Sequence, residues 1–289
     1  MTANTTATST TATNTAATST TRHARRLVGG LRIAIAAAAT VGVLAIGIGS
    51  AGAAASRDVD VRYRVSYGAL PMGRVDANVR IDPGAYAMSA RFKSGGLAKL
   101  MKKTEGNASA SGAIGKAGPV PKSFKIGYRS GKKKRSRAVS FAGGAVKAAS
   151  ESPKRKPPKN WVPALPEHLK NAIDPASAFL VSAPGGNPCA SKARLFDGRT
   201  RIDTTMRSLG EHRFRAKGYR GTAHKCAVSV APVAGYKPGK SAERMRSLKG
   251  MTASFVPVPG TDLHMLVALE VPTPIGKFTA KATRLDLGA

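Results

Sequence analysis

From Val59 to Tyr67 the chain reads Val-Asp-Val-Arg-Tyr-Arg-Val-Ser-Tyr, with an apolar residue at every second position. A repeat of two puts those side chains on one face of a pleated strand and the polar ones on the other. The pattern returns after a turn-rich link from Gly68 to Gly73, at Val75, Ala77, Val79 and Ile81. It returns again beyond Asp82-Pro83-Gly84, at Tyr86, Met88, Ala90 and Phe92. Three half-buried antiparallel strands joined by turns make a meander, and the rest of the fold must continue from it.

Alternation continues at Phe124, Ile126 and Tyr128, and at Arg137, Val139 and Phe141 beyond a Lys-rich turn at 131–135. Weaker strand patterns cover 104–111, 192–206, 213–219 and 223–230, and stronger ones cover 251–257, 263–271 and 276–286. Helix signals are few: 97–102, 174–182 with Asp174 as N-cap and Pro175 in the first turn, and 241–248. Strands do not alternate with helices, which argues against a doubly wound sheet. The expectation is a mainly β fold, a curved antiparallel sheet or partly closed β-barrel with two or three short helices. Prolines and charges between Ser152 and Leu165 predict a wet surface loop over 152–166 within a single domain spanning 56–289.

The amino end stands outside this fold. Residues 1–21 are almost wholly Thr, Ala, Ser and Asn, and such a segment buries too little surface to order itself. Arg22, Arg25, Arg26 and Arg32 then precede an apolar run from Ile33 to Ile48 and the small residues ending at Ala55. That order predicts a signal peptide over 22–55 cleaved after Ala55, with an uncleaved amino-terminal membrane anchor as the rival. The expected location is periplasmic or envelope-associated.

Charge narrows the partners. The chain has 47 Lys plus Arg against 15 Asp plus Glu, and the leader contributes only four of the basic residues. A field of that sign attracts polyanions: an anionic membrane surface, an acidic envelope polymer or nucleic acid. Export argues against nucleic acid, and no aromatic residues accompany the Lys-rich runs to stack on bases. The contacts expected for an anionic surface are Lys132, Lys133, Lys134 and Arg135, with Lys154, Arg155 and Lys156.

Two cysteines in an exported chain predict a disulfide between Cys189 and Cys226. The competing reading, a metal site of His224 and Cys226 with His212, lacks a second paired ligand motif. Residues 234–241 fit a loosened phosphate-loop pattern, but Pro238 removes one of the backbone donors and the surroundings are antiparallel. Ser130-Gly131-Lys132-Lys133 has a Ser-x-x-Lys spacing in what reads as a hairpin turn. No residue is nominated as catalytic, and no metal or cofactor is expected.

Four segments in order carry a family resemblance. Tyr63-Arg64-Val65-Ser66-Tyr67-Gly68-Ala69-Leu70-Pro71-Met72-Gly73-Arg74 resembles the opening of the bacterial exported proteins of domain-of-unknown-function family 3108. Asp174-Pro175-Ala176-Ser177-Ala178-Phe179-Leu180 resembles that family's Asp-Pro-Leu-Ser-Ala helix. Leu195-Phe196-Asp197-Gly198-Arg199 resembles its Phe-Asp-Gly-Arg turn. Cys226 with Pro232-Val233-Ala234-Gly235-Tyr236 resembles its late Cys and Pro-hydrophobic-Ala-Gly segment. The resemblance implies an exported, mainly β envelope protein, similar to open-barrel carriers of lipids or lipoproteins, and it supplies no catalytic residue.

Three functions follow as expectations. The leading one is a non-enzymatic carrier that holds an apolar or lipid-like ligand among Tyr63, Val65, Tyr86, Met88, Phe124 and Tyr128, beneath a basic rim. Its alternative is a structural envelope protein that binds acidic polymer or membrane through the basic loops. An enzyme is the third, and no residue in the chain is singled out for it.

Overall fold

The computed structural model describes residues 56–274 and 276–288. The expected leader, signal peptide and membrane anchor lie outside the described residues. Fifteen strands make up most of what is described. The first seven are β1 (Arg57–Tyr67), β2 (Leu70–Asp82), β3 (Ala85–Ser94), β4 (Thr104–Gly115), β5 (Gly118–Ser130), β6 (Lys133–Ala142) and β7 (Ala145–Ser152). After them come two short strands, β8 (Ala172–Ile173) and β9 (Leu180–Ser182), then β10 (Lys192–Phe196), β11 (Arg201–Ala216) and β12 (Tyr219–Ala234). The last three are β13 (Met251–Pro257), β14 (Leu263–Thr273) and β15 (Gly276–Asp286). Two helices, α1 (Gly96–Met101) and α2 (Lys240–Arg246), and three 3-10 turns complete the described chain.

All strands belong to one sheet in the order β7-β6-β5-β4-β3-β2-β1-β15-β14-β13-β12-β11-β10-β8, with β9 joined to β14. Every pairing is antiparallel except β8 with β10. The two halves of the chain meet where β1 pairs with β15, and the far edges bend round toward each other. Ala145 in β7 bridges Lys170, two residues before β8, and the Asn171 amide donates to the Gly144 carbonyl at 2.6 Å. The sheet is thus a nearly closed barrel whose open seam runs between β7 at one end of the order and β8 with β10 at the other.

Two sequence expectations need correcting. The stretch 174–182 is a single 3-10 turn, Ser177–Phe179, running into β9. The Asp174 side chain does cap the turn, but Leu180-Val181-Ser182 pairs with Leu263–Met265, and that ladder takes the chain out of helix. The strand expected over 192–206 is broken at Asp197-Gly198, where β10 turns back into β11. In addition β7, Ala-Val-Lys-Ala-Ala-Ser-Glu-Ser, carries no clear alternation and escaped notice.

The largest core lies inside the barrel, where Val59, Val61, Tyr63, Val79, Ile81, Tyr86, Met265 and Leu285 are all buried. Each large apolar side chain buried there stabilises the fold by about 1.5–3 kcal/mol. β13 and β14 are buried on both faces: Val256, Met265 and Val267 face the main core, while Phe255 and Leu266 pack with the cysteines. Cys189 and Cys226 form a disulfide with their Cα atoms 5.3 Å apart, pinning a 3-10 turn onto β12.

Candidate functional site: an apolar pocket inside the barrel

The pocket follows from strand register. On the inward face, Val59, Val79, Met88, Ala110, Phe124 and Val139 stand opposite one another across six strands. The next inward row reads Val61, Ala77, Ala90, Ala108, Ile126 and Arg137. The third reads Tyr63, Val75, Phe92, Gly106, Tyr128 and Arg135. Three alanines on adjacent strands, between rows of larger side chains, leave space that no neighbour fills. The result is an apolar cavity of about 200 Å³.

Its wall is Val61, Tyr63, Val75, Ala77, Val79, Met88, Ala90, Phe92, Ala108, Phe124 and Ile126, and Met265 reaches it from β14. The floor comes from the Asp174–Leu180 segment, through Pro175, Ala176 and Phe179. The Phe179 ring meets Tyr63 edge-on at 5.8 Å. Gly106 is needed beside the pocket, because a Cβ there would lie 2.7 Å from the Phe92 ring and 2.6 Å from Tyr128 Cβ.

A buried polar chain holds the floor in place. Asp174 accepts from the backbone amides of Ala176 and Ser177 at 2.9 Å and from the Ser177 hydroxyl at 2.5 Å. The Ser177 Oγ then lies 2.5 Å from the Tyr86 hydroxyl, free to accept its proton. Burial pushes the Asp174 carboxyl above its ordinary value, against the pull of those hydrogen bonds. Burial, with the nearby Asp174 charge, also raises the Tyr86 hydroxyl. Tyr63, raised by burial alone, donates to the Leu266 carbonyl at 2.5 Å. The Tyr63 and Tyr86 hydroxyls act as neutral donors that fix the pocket wall.

Inward side chains differ in exposure between the barrel's ends. Val59, Val79, Ile81 and Tyr86 are buried, whereas Val65, Val75, Phe92 and Tyr128 are only half-buried. The more open end carries the basic hairpin. Ser136 pairs with Ser152, so Lys132–Lys134 and Lys154–Lys156 flank adjacent strands there. Lys132, Lys133, Lys134, Lys154 and Lys156 are exposed. Arg135 and Arg155 differ from them: both are half-buried, Arg155 binds Glu151 at 2.9 Å, and one Arg135 Nη atom is buried without a hydrogen-bond partner.

Of the residues expected to line a ligand site, Tyr63, Met88 and Phe124 border this cavity. Tyr86 lies in the closed-end core and braces the floor, while Val65 and Tyr128 sit beyond the lining. The alanines were missed because attention to large side chains ignores the space that small ones leave. The signal was present as Ala77, Ala90 and Ala108 at matching inward positions. Cys226, being disulfide-bonded, is not available as a metal ligand, and among the described residues no cluster of three or more His, Cys, Asp or Glu is placed to hold a metal ion.

Polar contacts bridge the edge left by β7. Glu151 binds Arg199 at 2.7 Å and Arg155 at 2.9 Å, and Arg137 pairs with Asp197 while lying 3.9 Å from Glu151. Burial alone would raise the Glu151 carboxyl, but the Arg155 hydrogen bond and the Arg199 and Arg155 charges outweigh it and hold it below its ordinary value. The Trp161 ring covers the Arg199 guanidinium at 4.4 Å. Gly235, at φ +78°, fits where a Cβ would come 1.9 Å from the Arg199 carbonyl, so two of the four resemblance segments meet at this seam.

A family model described as "Protein of unknown function (DUF3108)" matches residues 62–283. No curated protein matches the chain. Among solved structures the chain is similar to a β-barrel-like protein of domain of unknown function DUF1849 from Brucella abortus. The two share 11% identity over 80% of this chain and 97% of that one, with a TM-score of 0.48.

Proposed function

The chain belongs to the DUF3108 family, and from that premise we propose that it is an exported, non-enzymatic binding module that holds an apolar or lipid-like ligand inside its barrel. The observation that carries this reading is the cavity of about 200 Å³ walled almost wholly by apolar side chains. It is larger than an engineered apolar cavity of about 150 Å³ that stays dry and takes up benzene. It is smaller than the roughly 300–1,000 Å³ of drug-sized sites, so it accommodates an apolar chain or part of one rather than a whole lipid. The exposed lysines at the more open end and the unpartnered Arg135 Nη atom favour a ligand with an anionic head. The disulfide is consistent with export to the periplasm or envelope.

Native mass spectrometry of residues 56–289 isolated from a bacterial periplasm, followed by lipid extraction, tests the reading. A ligand bound one-to-one supports it. An empty protein that also takes up no added envelope lipid refutes it and leaves the alternative, a structural protein docking on an anionic surface through Lys132–Lys134, Lys154 and Lys156.

A further inference from the structure

The outward face of β1–β4 bears a second recess, which shares Val61, Ala77, Ala90 and Ala108 with the interior pocket. Outward side chains of these strands, with Arg284 of β15, rim a trough of about 740 Å³. Register sets them in transverse rows. Arg284 stands opposite Arg62, Arg62 opposite Asp76, Asp76 opposite Arg91 and Arg91 opposite Asn107. Alongside runs a row of short hydrogen-bonding groups, Asp60, Asn78, Ser89 and Ser109. Arg74 and Lys93 face each other on the other side.

Five cations therefore share the trough with two carboxylates. Asp76 is taken by Arg62 at 2.5 Å and Arg74 at 3.1 Å, and Asp60 accepts from the Asn78 amide at 3.2 Å. Among the described residues Arg91, Lys93 and Arg284 form no salt bridge. Arg284 and Arg91 lie three strands apart, about 14 Å at ordinary strand spacing, and Arg91 and Lys93 are about 7 Å apart along one strand.

We infer that this trough binds a linear acidic glycan, a polysaccharide bearing carboxylates. Its unpaired cations are spaced for charges that recur along a chain, and its Asn and Ser groups suit sugar hydroxyls. A planar layer of lipid headgroups cannot follow a concave surface, which disfavours a membrane. No aromatic ring lines the trough to stack on bases, which disfavours nucleic acid.

Polygalacturonate is the probe, with uncharged dextran and a single-stranded oligothymidylate as comparators, titrated against the protein at physiological salt. Two double variants remove equal charge: Arg91→Ser with Lys93→Ser in the trough, and Lys132→Ser with Lys133→Ser in the hairpin. All four residues are exposed, and circular dichroism checks that each variant stays folded. The trough variant should weaken polygalacturonate binding about tenfold, the hairpin variant less than twofold, and dextran should not bind. Filling the interior pocket with Ala176→Leu, a floor residue that the trough does not touch, should leave polygalacturonate binding unchanged, so this inference can fail or stand independently of the carrier reading. Equal weakening by the two double variants, or oligothymidylate binding as tight as polygalacturonate, would reduce the trough to general positive charge and overturn the inference.

Discussion

Glu151 and Arg199 meet at 2.7 Å although 48 residues separate them in the chain. Glu151 lies on β7, the edge of the first run of strands, and Arg199 lies in the turn from β10 to β11. Their contact, with Arg137 and Asp197 beside it, spans an edge where backbone pairing gives out.

Glu151→Gln is expected to lower stability by about 2 kcal/mol at neutral pH, since three guanidinium groups lose a charged acceptor. The thermal midpoint should fall by roughly 4–8 °C. Because the folded carboxyl titrates below its ordinary value, its stabilisation is complete above the unfolded value and is lost as pH falls through the folded one. Melting curves over an acid pH series should show the gap between wild type and Glu151→Gln closing on acidification. A gap constant down to the lowest pH would mean that the charge is not what holds the seam.

Asp174 should behave in the opposite sense. Its folded value is raised by burial, so its contribution declines as pH rises from its unfolded to its folded value. Asp174→Asn keeps an acceptor for the two backbone amides, lets the Ser177 hydroxyl reverse, and should cost little at neutral pH. Asp174→Ala strands those donors and should cost about 3 kcal/mol. Chemical denaturation of both variants checks this, and equal losses would show that shape rather than hydrogen bonding anchors the floor.

Reducing the disulfide, or replacing Cys189 and Cys226 by Ala, should cost about 3–4 kcal/mol for a sequence separation of 37. Urea titration with and without reductant measures it. Neither cysteine lines the pocket, so apolar ligand binding by the reduced folded protein should persist.

How much of this was legible depended on which face of a strand each residue occupies. Val59 to Tyr67 announced β1 because one side of it meets water, so its polar and apolar residues alternate. β13 and β14 were also found, though burial on both faces gives them continuous apolar runs. β7 was missed because Ala148, Ala149 and Ser150 are exposed at a sheet edge and need no pattern. The 174–182 stretch misled because a good N-cap specifies how a turn starts and not how far it propagates. Tyr63, Met88 and Phe124 could be named as pocket residues from alternation alone. The alanine row could not, because a void depends on which residues stand opposite one another, and that register is set by turns and bulges such as the one between Val65 and Ser66.

The carrier reading is tested most directly by filling the void. Ala90→Leu places a larger apolar side chain between Ala77 and Ala108, where space exists to receive it. Displacement of a fluorescent fatty acid from wild type and variant is the measurement, with thermal melting alongside. The expected result is saturable one-to-one binding by wild type that falls at least about tenfold in the variant, while the melting temperature holds or rises. Binding that is unchanged in a folded Ala90→Leu protein would place the ligand elsewhere and contradict a carrier function for the interior of this barrel.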